Sequence, residues 1–396
     1  MRDDLIDIFM AGVRRADPDA AVSGALDGMA RPHAIWALGK AAIAMARAAL
    51  SRWPDVPCLV VTNPENATDL PGARILLGGH PVPDQGSAAA GAALLEAADA
   101  LGAGQVALVL VSGGGSALAV APVDGVTLDE KAALSRLLLA SGWDIAEMNL
   151  VRQNLSRLKG GGLARAAAPG RVEALILSDV VGDDPAAIAS GPTVAPLGAP
   201  AEAAARLRKR GLWSRIPESC REALGRDPMP VPEAGWRLVG SNRLSVEAMA
   251  AAAPDARVEE APLVGDVAEA AARVAAIARS GPGTTLWGGE TTVQLRGDGR
   301  GGRNQELALR VARALVGFDR SWAFLSGGTD GRDGPTDAAG AVVDGETLAR
   351  IAAAGLDLEA GLARNDSYPL LAASGDLLMT GGTGTNVADL QILRVI

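Results

Sequence analysis

The chain has 396 residues, enough for two or three domains, and with 48% hydrophobic residues it can bury a large core. A formal net charge of -9 argues against nonspecific nucleic-acid binding, which needs an excess of Lys and Arg. No apolar run approaches the roughly 18 residues of a membrane span, and the acidic, amphipathic start Met1-Arg-Asp-Asp-Leu-Ile-Asp-Ile-Phe9 does not read as a signal peptide, so a cytoplasmic protein is expected. Cys58 and Cys220 stand far apart and outside any metal-ligand spacing, which supports neither a disulfide framework nor a zinc site.

In chain order, a helix over 5–13 is followed by a strand at 34–38, and then strands at 57–62, 73–77, 106–111 and 174–177 alternate with alanine-rich helices at 41–52, 87–101, 128–140 and 145–166. This alternation predicts a Rossmann-like, three-layer α/β domain over 1–234 with a parallel sheet covered on both faces. Prolines between Pro192 and Pro232 mark the crossover to a second α/β domain over 235–396. Its expected strands lie at 236–239, 258–262, 284–287, 291–296, 323–326 and 377–380, its helices at 245–252, 268–279 and 305–316. The segment Asp389 to Ile396 reads as a strand that could pack back on the first domain.

Four apolar runs break into glycine turns flanked by Ser or Thr: Ser112-Gly113-Gly114-Gly115-Ser116, Gly288-Gly289-Glu290-Thr291, Ser326-Gly327-Gly328-Thr329-Asp330 and Thr380-Gly-Gly-Thr-Gly-Thr385. Strands that end this way leave backbone N–H groups free to approach an anion, and the expected anion is phosphate. In a parallel sheet, ligands sit at the carboxyl ends of the strands, where Gly39-Lys40, Gly78-Gly79-His80, Ser112–Ser116 and Ser178-Asp179 fall.

Lysine occurs only at positions 40, 131, 159 and 209, so Lys40 in a strand-to-helix turn suggests a need for a compact ammonium. A cation in the first helical turn opposes the helix dipole, which again favours an anion beside it. By contrast, Lys159-Gly160-Gly161-Gly162 reads as a cation in a last helical turn followed by a glycine cap. No Walker P-loop occurs. Gly297-Asp-Gly-Arg-Gly-Gly302 matches a dinucleotide fingerprint, but no acidic residue closes the next strand at the usual spacing, and Arg300 and Arg303 suit a phosphate or carboxylate clamp. Asp330, Asp333 and Asp337 lack the spacing of a calcium loop and are candidates for Mg²⁺ contact or for local turns, as are Asp179, Asp183 and Asp184. His80, in a proline-stiffened loop, is a candidate substrate contact.

The ordered set Leu38-Gly-Lys-Ala-Ala42, Gly79-His-Pro-Val-Pro-Asp84, Ser112–Ser116, Ser156-Arg-Leu-Lys-Gly160, Leu177-Ser-Asp-Val-Val-Gly-Asp-Asp184, Ser190-Gly-Pro-Thr193, Gly240-Ser-Asn242, Gly288–Thr291, Gly302-Arg-Asn-Gln-Glu306, Ser326–Gly331 and Thr380–Asn386 resembles the glycerate 2-kinase family, with a MOFRL-type carboxyl-terminal domain. The resemblance implies transfer of the ATP γ-phosphoryl group to the 2-hydroxyl of D-glycerate in an interdomain active-site cleft. It implies Lys40 and Arg303 as catalytic cations, which suits a reaction that depends on positioning and charge neutralisation. Ser112–Ser116 and Gly327, Gly328 and Thr329 would then hold ATP, Asp179 and Asp330 would hold Mg²⁺ or take the hydroxyl proton, and Lys40, His80 and Arg303 would contact the substrate. Alternatives are an NAD(P)H-dependent hydroxypyruvate reductase and a noncatalytic nucleotide or metabolite sensor. A homodimer stays open.

Overall fold

The computed structural model describes residues 1–396 and divides into two compact units, Pro18–Val239 and Met1–Asp17 with Gly240–Ile396. The chain opens with α1 (Arg2–Arg15), which belongs to the second of these. No helix is long and apolar enough to cross a membrane.

The Pro18–Val239 unit starts with α2 (Pro18–Ala25) and is built on β1 (Ala34–Leu38), β2 (Cys58–Thr62), β3 (Ala73–Leu77), β4 (Val106–Val111), β5 (Arg171–Leu177) and β6 (Gly235–Gly240), in the order β3-β2-β1-β4-β5-β6. Pairings from β3 through β5 are parallel. Both faces are covered, so β1 and β4 read as continuous apolar runs and not as alternating ones. On one face Trp36, Leu38, Val109 and Val111 form a core with α4 (Gln85–Asp99). The alternate residues Ile35, Ala37, Leu108 and Leu110 are buried on the other, where α3 (Ala42–Arg52) packs against β1 and β2. Sequence order reverses between β1 and β4, which makes that crevice the topological switch point.

The strand β4 runs into the single turn α5 (Gly115–Leu118), and α6 (Leu128–Ala140), α7 (Ile145–Asn154), α9 (Pro200–Lys209) and α10 (Glu218–Ala223) share a separate apolar cluster. The one long helix expected over 145–166 is two: α7 stops at Asn154, and α8 spans Gly162–Ala166. Gly160 and Gly161 between them take left-handed φ values of 54° and 76°, and their N–H groups leave the helical ladder to bond Ser190 O and Gly191 O.

The second unit adds α11 (Asn242–Ala252), β7 (Arg257–Val258), β8 (Leu263–Asp266), α12 (Val267–Ser280), β9 (Gly283–Thr292), α13 (Arg303–Ala314), β10 (Trp322–Gly328), β11 (Gly340–Asp344), α14 (Thr347–Ala353), α15 (Leu358–Ala363), α16 (Ser367–Ser374), β12 (Leu377–Leu378) and β13 (Asp389–Val395). The sheet runs β12-β11-β10-β13-β9-β7, with β8 pairing β9. Its pairings from β12 to β9 are antiparallel, while β7 and β8 lie parallel to β9. One face packs on α12 and α13, with Trp287, Phe324 and Leu393 in the core, and the other on α1 and α11, around Phe9, Met249 and Ile392.

Four sequence expectations change here. β6, expected to begin the second domain, is the edge of the first sheet, so the compact unit runs to Val239 and not to 234. The last strand does not pack back on the first domain: β13 lies in the middle of the second sheet, hydrogen-bonded on both sides. It is α1 that leaves its neighbours in sequence, because its apolar stripe Leu5, Ile8, Phe9 and Val13 closes the open face of the second sheet. The strand expected at 284–287 is part of the longer β9, which ends at Thr292, and residues 293–296 of the second expected strand form no strand.

Candidate active site

In the first unit the loops after β1 and β4 lock together at the switch point. Lys40 N donates to Gly113 O (2.9 Å), Ser112 N to Leu38 O (2.9 Å), and Ala41 N to the Ser112 hydroxyl (3.1 Å). Gly39 has φ 129°, and a Cβ there would collide with Ser112, so only glycine permits this approach. After Ser112 the N–H groups of Gly113, Gly114, Gly115 and Ser116 donate to no protein acceptor. Four amides on a turn that opens a short helix form a concave donor set suited to an anion.

Side chains that the sequence places far apart converge on this turn. A Cβ on Gly114, whose φ is 84°, would stand 3.1 Å from Lys40 Cγ and 3.3 Å from His80 Cδ2. One on Gly113 would run into the Asp179 carboxylate. Lys40, half-buried, has no ion pair or hydrogen bond to fix its ammonium, so its charge is available to a ligand. Desolvation and then the Lys40 ammonium hold His80 below its ordinary pKa, which favours the neutral imidazole. Burial raises the Asp179 carboxyl, against a smaller opposing pull from its own backbone N–H and from Lys40. The His80 loop is fastened from below: Gly79 N donates to Asp84 Oδ1 (3.0 Å) and Ser87 Oγ (2.9 Å), the pair that also caps α4.

Two further residues bear on the turn: Glu65, which no sequence signal marked, and Ser190, which opens the Ser190-Gly-Pro-Thr193 motif. The Glu65 carboxyl is held below its ordinary pKa by its own backbone N–H and by Asn63, with smaller pulls from His80 and Lys40. Ser190 Oγ lies 2.6 Å from Ser116 Oγ and donates to Asn149 Oδ1 (3.2 Å). Ala189 and Ser190 hold left-handed φ values of 49° and 58°, strain of the kind that clusters at functional sites. Lys159 overturns its expected role as a helix-terminal cation. It is buried at 5% exposure five residues past the end of α7, and its ammonium donates to Ser116 O at 2.6 Å.

In the second unit Arg303 is the first residue of α13. Its Nε and Nη2 donate to the two oxygens of Asp389 (2.6 and 2.9 Å), and Nη1 pairs with Glu290 Oε1 (3.0 Å). Burial works against its charge, but the bonds to Asp389 and the charges of Asp389 and Glu290 outweigh it and keep the guanidinium above its usual pKa. Asp333, 2% exposed, accepts from Asn304 N (3.1 Å) and Gln305 N (2.8 Å) and so caps α13. Burial pushes its carboxyl up to about 6. Asp337 accepts from the Tyr368 hydroxyl (2.7 Å), and Asp330 Oδ1 closes a turn on Arg332 N (2.9 Å).

Gly327, Gly328 and Thr329 do not form a second phosphate turn. Gly328 N donates to Ala339 O and Thr329 N to Ala388 O, while the Thr329 hydroxyl donates to Ala388 O as well. Gly327 is glycine for packing: a Cβ would meet Phe9 and Leu378 at about 3 Å. The Gly297–Gly302 loop is spent in the same way. Gly299 N donates to Arg364 O, Arg300 N to Asp366 Oδ1 and Arg296 N to Asn365 Oδ1, which leaves little of a dinucleotide cradle.

The chain is matched to known proteins over nearly its whole length. Residues 4–225 match a family described as a domain of unknown function, DUF4147, and residues 283–389 match the MOFRL family. The D-glycerate 2-kinase of Thermotoga maritima is 38% identical over 409 aligned positions, which cover 99% of this chain and 97% of that one. The chain belongs to the glycerate 2-kinase family. A crystal structure of the Thermotoga maritima glycerate kinase superimposes on all of this chain and 99% of its own with a TM-score of 0.94 at 37% identity. Another relative, from Agrobacterium vitis and provisionally named a hydroxypyruvate reductase, is 44% identical over 98% of this chain and 93% of its own.

Proposed function

We propose that the protein is a D-glycerate 2-kinase that transfers the terminal phosphoryl group of MgATP to the 2-hydroxyl of D-glycerate. The observation that carries this reading is the Ser112–Ser116 turn, with four unspent amides and the unpaired Lys40 ammonium beside it. The amides and Lys40 bind the phosphates and neutralise charge that builds as the bond to the leaving phosphate breaks. Asp179, whose burial makes it a stronger base than a free aspartate, takes the proton as the 2-hydroxyl oxygen bonds to phosphorus. Neutral His80 offers a hydrogen bond to the acid substrate. In the second unit Arg303, oriented by Asp389 and with its side chain partly exposed, acts on substrate or transferring phosphoryl.

Mg²⁺ enters with ATP. No group of three or more His, Cys, Asp or Glu side chains is gathered to hold a metal ion, which fits an ion carried mainly by substrate phosphates with one or two carboxylates in support. Asp179, the carboxylate at the phosphate turn, would supply that support only where another group took the hydroxyl proton. In the second unit, Asp330 keeps one carboxylate oxygen outside its turn and would be a separate candidate for Mg²⁺ contact.

Purified protein incubated with D-glycerate, ATP and Mg²⁺, with NADH and hydroxypyruvate in parallel, tests this reading. ADP formation that depends on D-glycerate supports it. NADH consumption without ADP formation would make the protein a reductase, a reading that the Agrobacterium vitis relative's name raises and the occupied Gly297–Gly302 donors disfavour.

A further inference from the structure

Behind the phosphate turn, wholly within the Pro18–Val239 unit, lies a cavity of about 410 Å³, a volume typical of small-molecule sites. Lys159 and Arg165 reach it from the ends of the Gly160–Gly162 turn, Arg157 and Arg226 from its rim, and the only acids on its wall are Asp124 and Asp227. The charge is poorly compensated. Arg157 and Asp124 meet only at 4.0 Å, Arg226 donates to the Asp124 backbone carbonyl, and Arg165 Nε donates to Pro230 O. Lys159 bonds a carbonyl and no carboxylate.

The imbalance continues into the protein behind it. Lys131, buried, donates to Leu155 O (2.9 Å) and is pushed down to about 7 by burial and then by Arg152. Lys159 is lowered well below the usual lysine range by burial and by the charges of Lys131 and Arg152. Buried cations are ordinarily matched by anions. Lys159 lines the cavity and has no carboxylate partner in the protein. The amino end of α9, at Ala199 and Pro200, also opens on the cavity without a side-chain cap.

We propose that this cavity is a second binding site, for a small phosphate or phosphate monoester held by Arg165, Lys159 and Arg226, distinct from the Lys40 turn. Guanidinium forks and an ammonium together suit a doubly charged oxyanion better than a single carboxylate. Lys159 links the two sites, since the ammonium that would face the bound anion also holds the carbonyl of Ser116. Occupancy therefore adjusts the turn that binds the nucleotide phosphates. The linkage rests on the kinase reading of that turn; the binding itself does not.

The test uses the full-length protein and inorganic phosphate, with binding followed by calorimetry and thermal shift for wild type, Lys40→Ala and the double variant Arg165→Gln/Arg226→Gln. Arms with 3-phosphoglycerate and ADP then separate a phosphorylated acid from a nucleotide as the source of the anion. The proposal expects phosphate binding that survives in Lys40→Ala and weakens at least tenfold in the double variant, whose response of ATP KM to phosphate is also lost. Phosphate binding that vanishes in Lys40→Ala and persists in the double variant overturns it, as does the absence of phosphate binding from an enzyme that still phosphorylates glycerate.

Discussion

Asp389 grips Arg303 with two parallel hydrogen bonds of 2.6 and 2.9 Å, from the first residue of a strand that lies at the centre of the second sheet. The carboxylate is fully buried, whereas the Arg303 side chain keeps 35% of its surface in solvent. The pair therefore orients a cation and leaves part of it free to act.

Asp389→Asn breaks the bidentate grip while preserving side-chain volume. Breaking a buried pair costs about 3–5 kcal/mol, and the partial exposure of Arg303 puts the expected loss nearer 2. Urea unfolding should show that loss, and kcat should fall more than tenfold. Unchanged stability and turnover would mean that Arg303 is not held by this contact in solution.

Lys40→Ala removes the free ammonium from the phosphate turn without removing any hydrogen bond that holds the fold. Turnover should fall by roughly 10²–10³, the scale seen when one stabilising donor is lost from a transition state. The melting temperature should stay within a few degrees of wild type. A variant that melts normally and retains full kcat contradicts the assignment.

Gly114→Ala puts a methyl group 3.1 Å from the Lys40 side chain on a backbone with φ 84°. Strain of about 1 kcal/mol is expected from the left-handed backbone alone, and the methyl group crowds both Lys40 and His80. KM for ATP should rise at least several-fold. Gly327→Ala serves as the contrast: it crowds Phe9 and Leu378 in the core, so it should lower stability with a smaller effect on ATP KM. If both variants affect ATP KM alike, the distinction between the two glycine turns fails.

Asp333 should leave a signature in the pH dependence of stability. Burial raises its carboxyl from the ordinary aspartate value of 3.8 to about 6 in the folded state, so between those values the folded protein binds a proton that the unfolded chain has lost. Its contribution is therefore most favourable below about 4 and is lost as pH rises through 6, a change of about 3 kcal/mol at 1.4 kcal/mol per unit. Unfolding curves of wild type and Asp333→Asn should converge or cross in favour of the variant from pH 4 to 7 and run level above that. Parallel curves across this range would show that Asp333 does not titrate there.

Much of the first sheet was legible because its strands are uninterrupted apolar runs between alanine-rich helices: β1, β3 and β4 fall where the periodicity put them. Glycine spacing alone did not separate a binding turn from a packing one. Ser112–Ser116 and Ser326–Asp330 look alike as sequence, and only the strand pairing shows that the second spends its amides on Ala339 and Ala388. Lys159 was misread because a lysine before three glycines fits a helix end, whereas its true partner, Ser116, lies 43 residues away. Asp389 carries a sequence signal of its own: an acid opening a mostly apolar strand, Asp389-Leu-Gln-Ile-Leu393, calls for a cation in the fold. β11 and the helices α14 to α16 were not separated from the long stretch before β12, where short elements and frequent turns blur the periodicity.

The most direct test of the kinase account is ³¹P NMR of the product formed from D-glycerate, ATP and Mg²⁺. The account predicts a single phosphomonoester with the phosphate on the 2-hydroxyl, formed with one ADP per molecule and roughly 10²–10³-fold more slowly with Lys40→Ala. A phosphate on the 3-hydroxyl, or no phosphorylated product from an intact, folded protein, would contradict it.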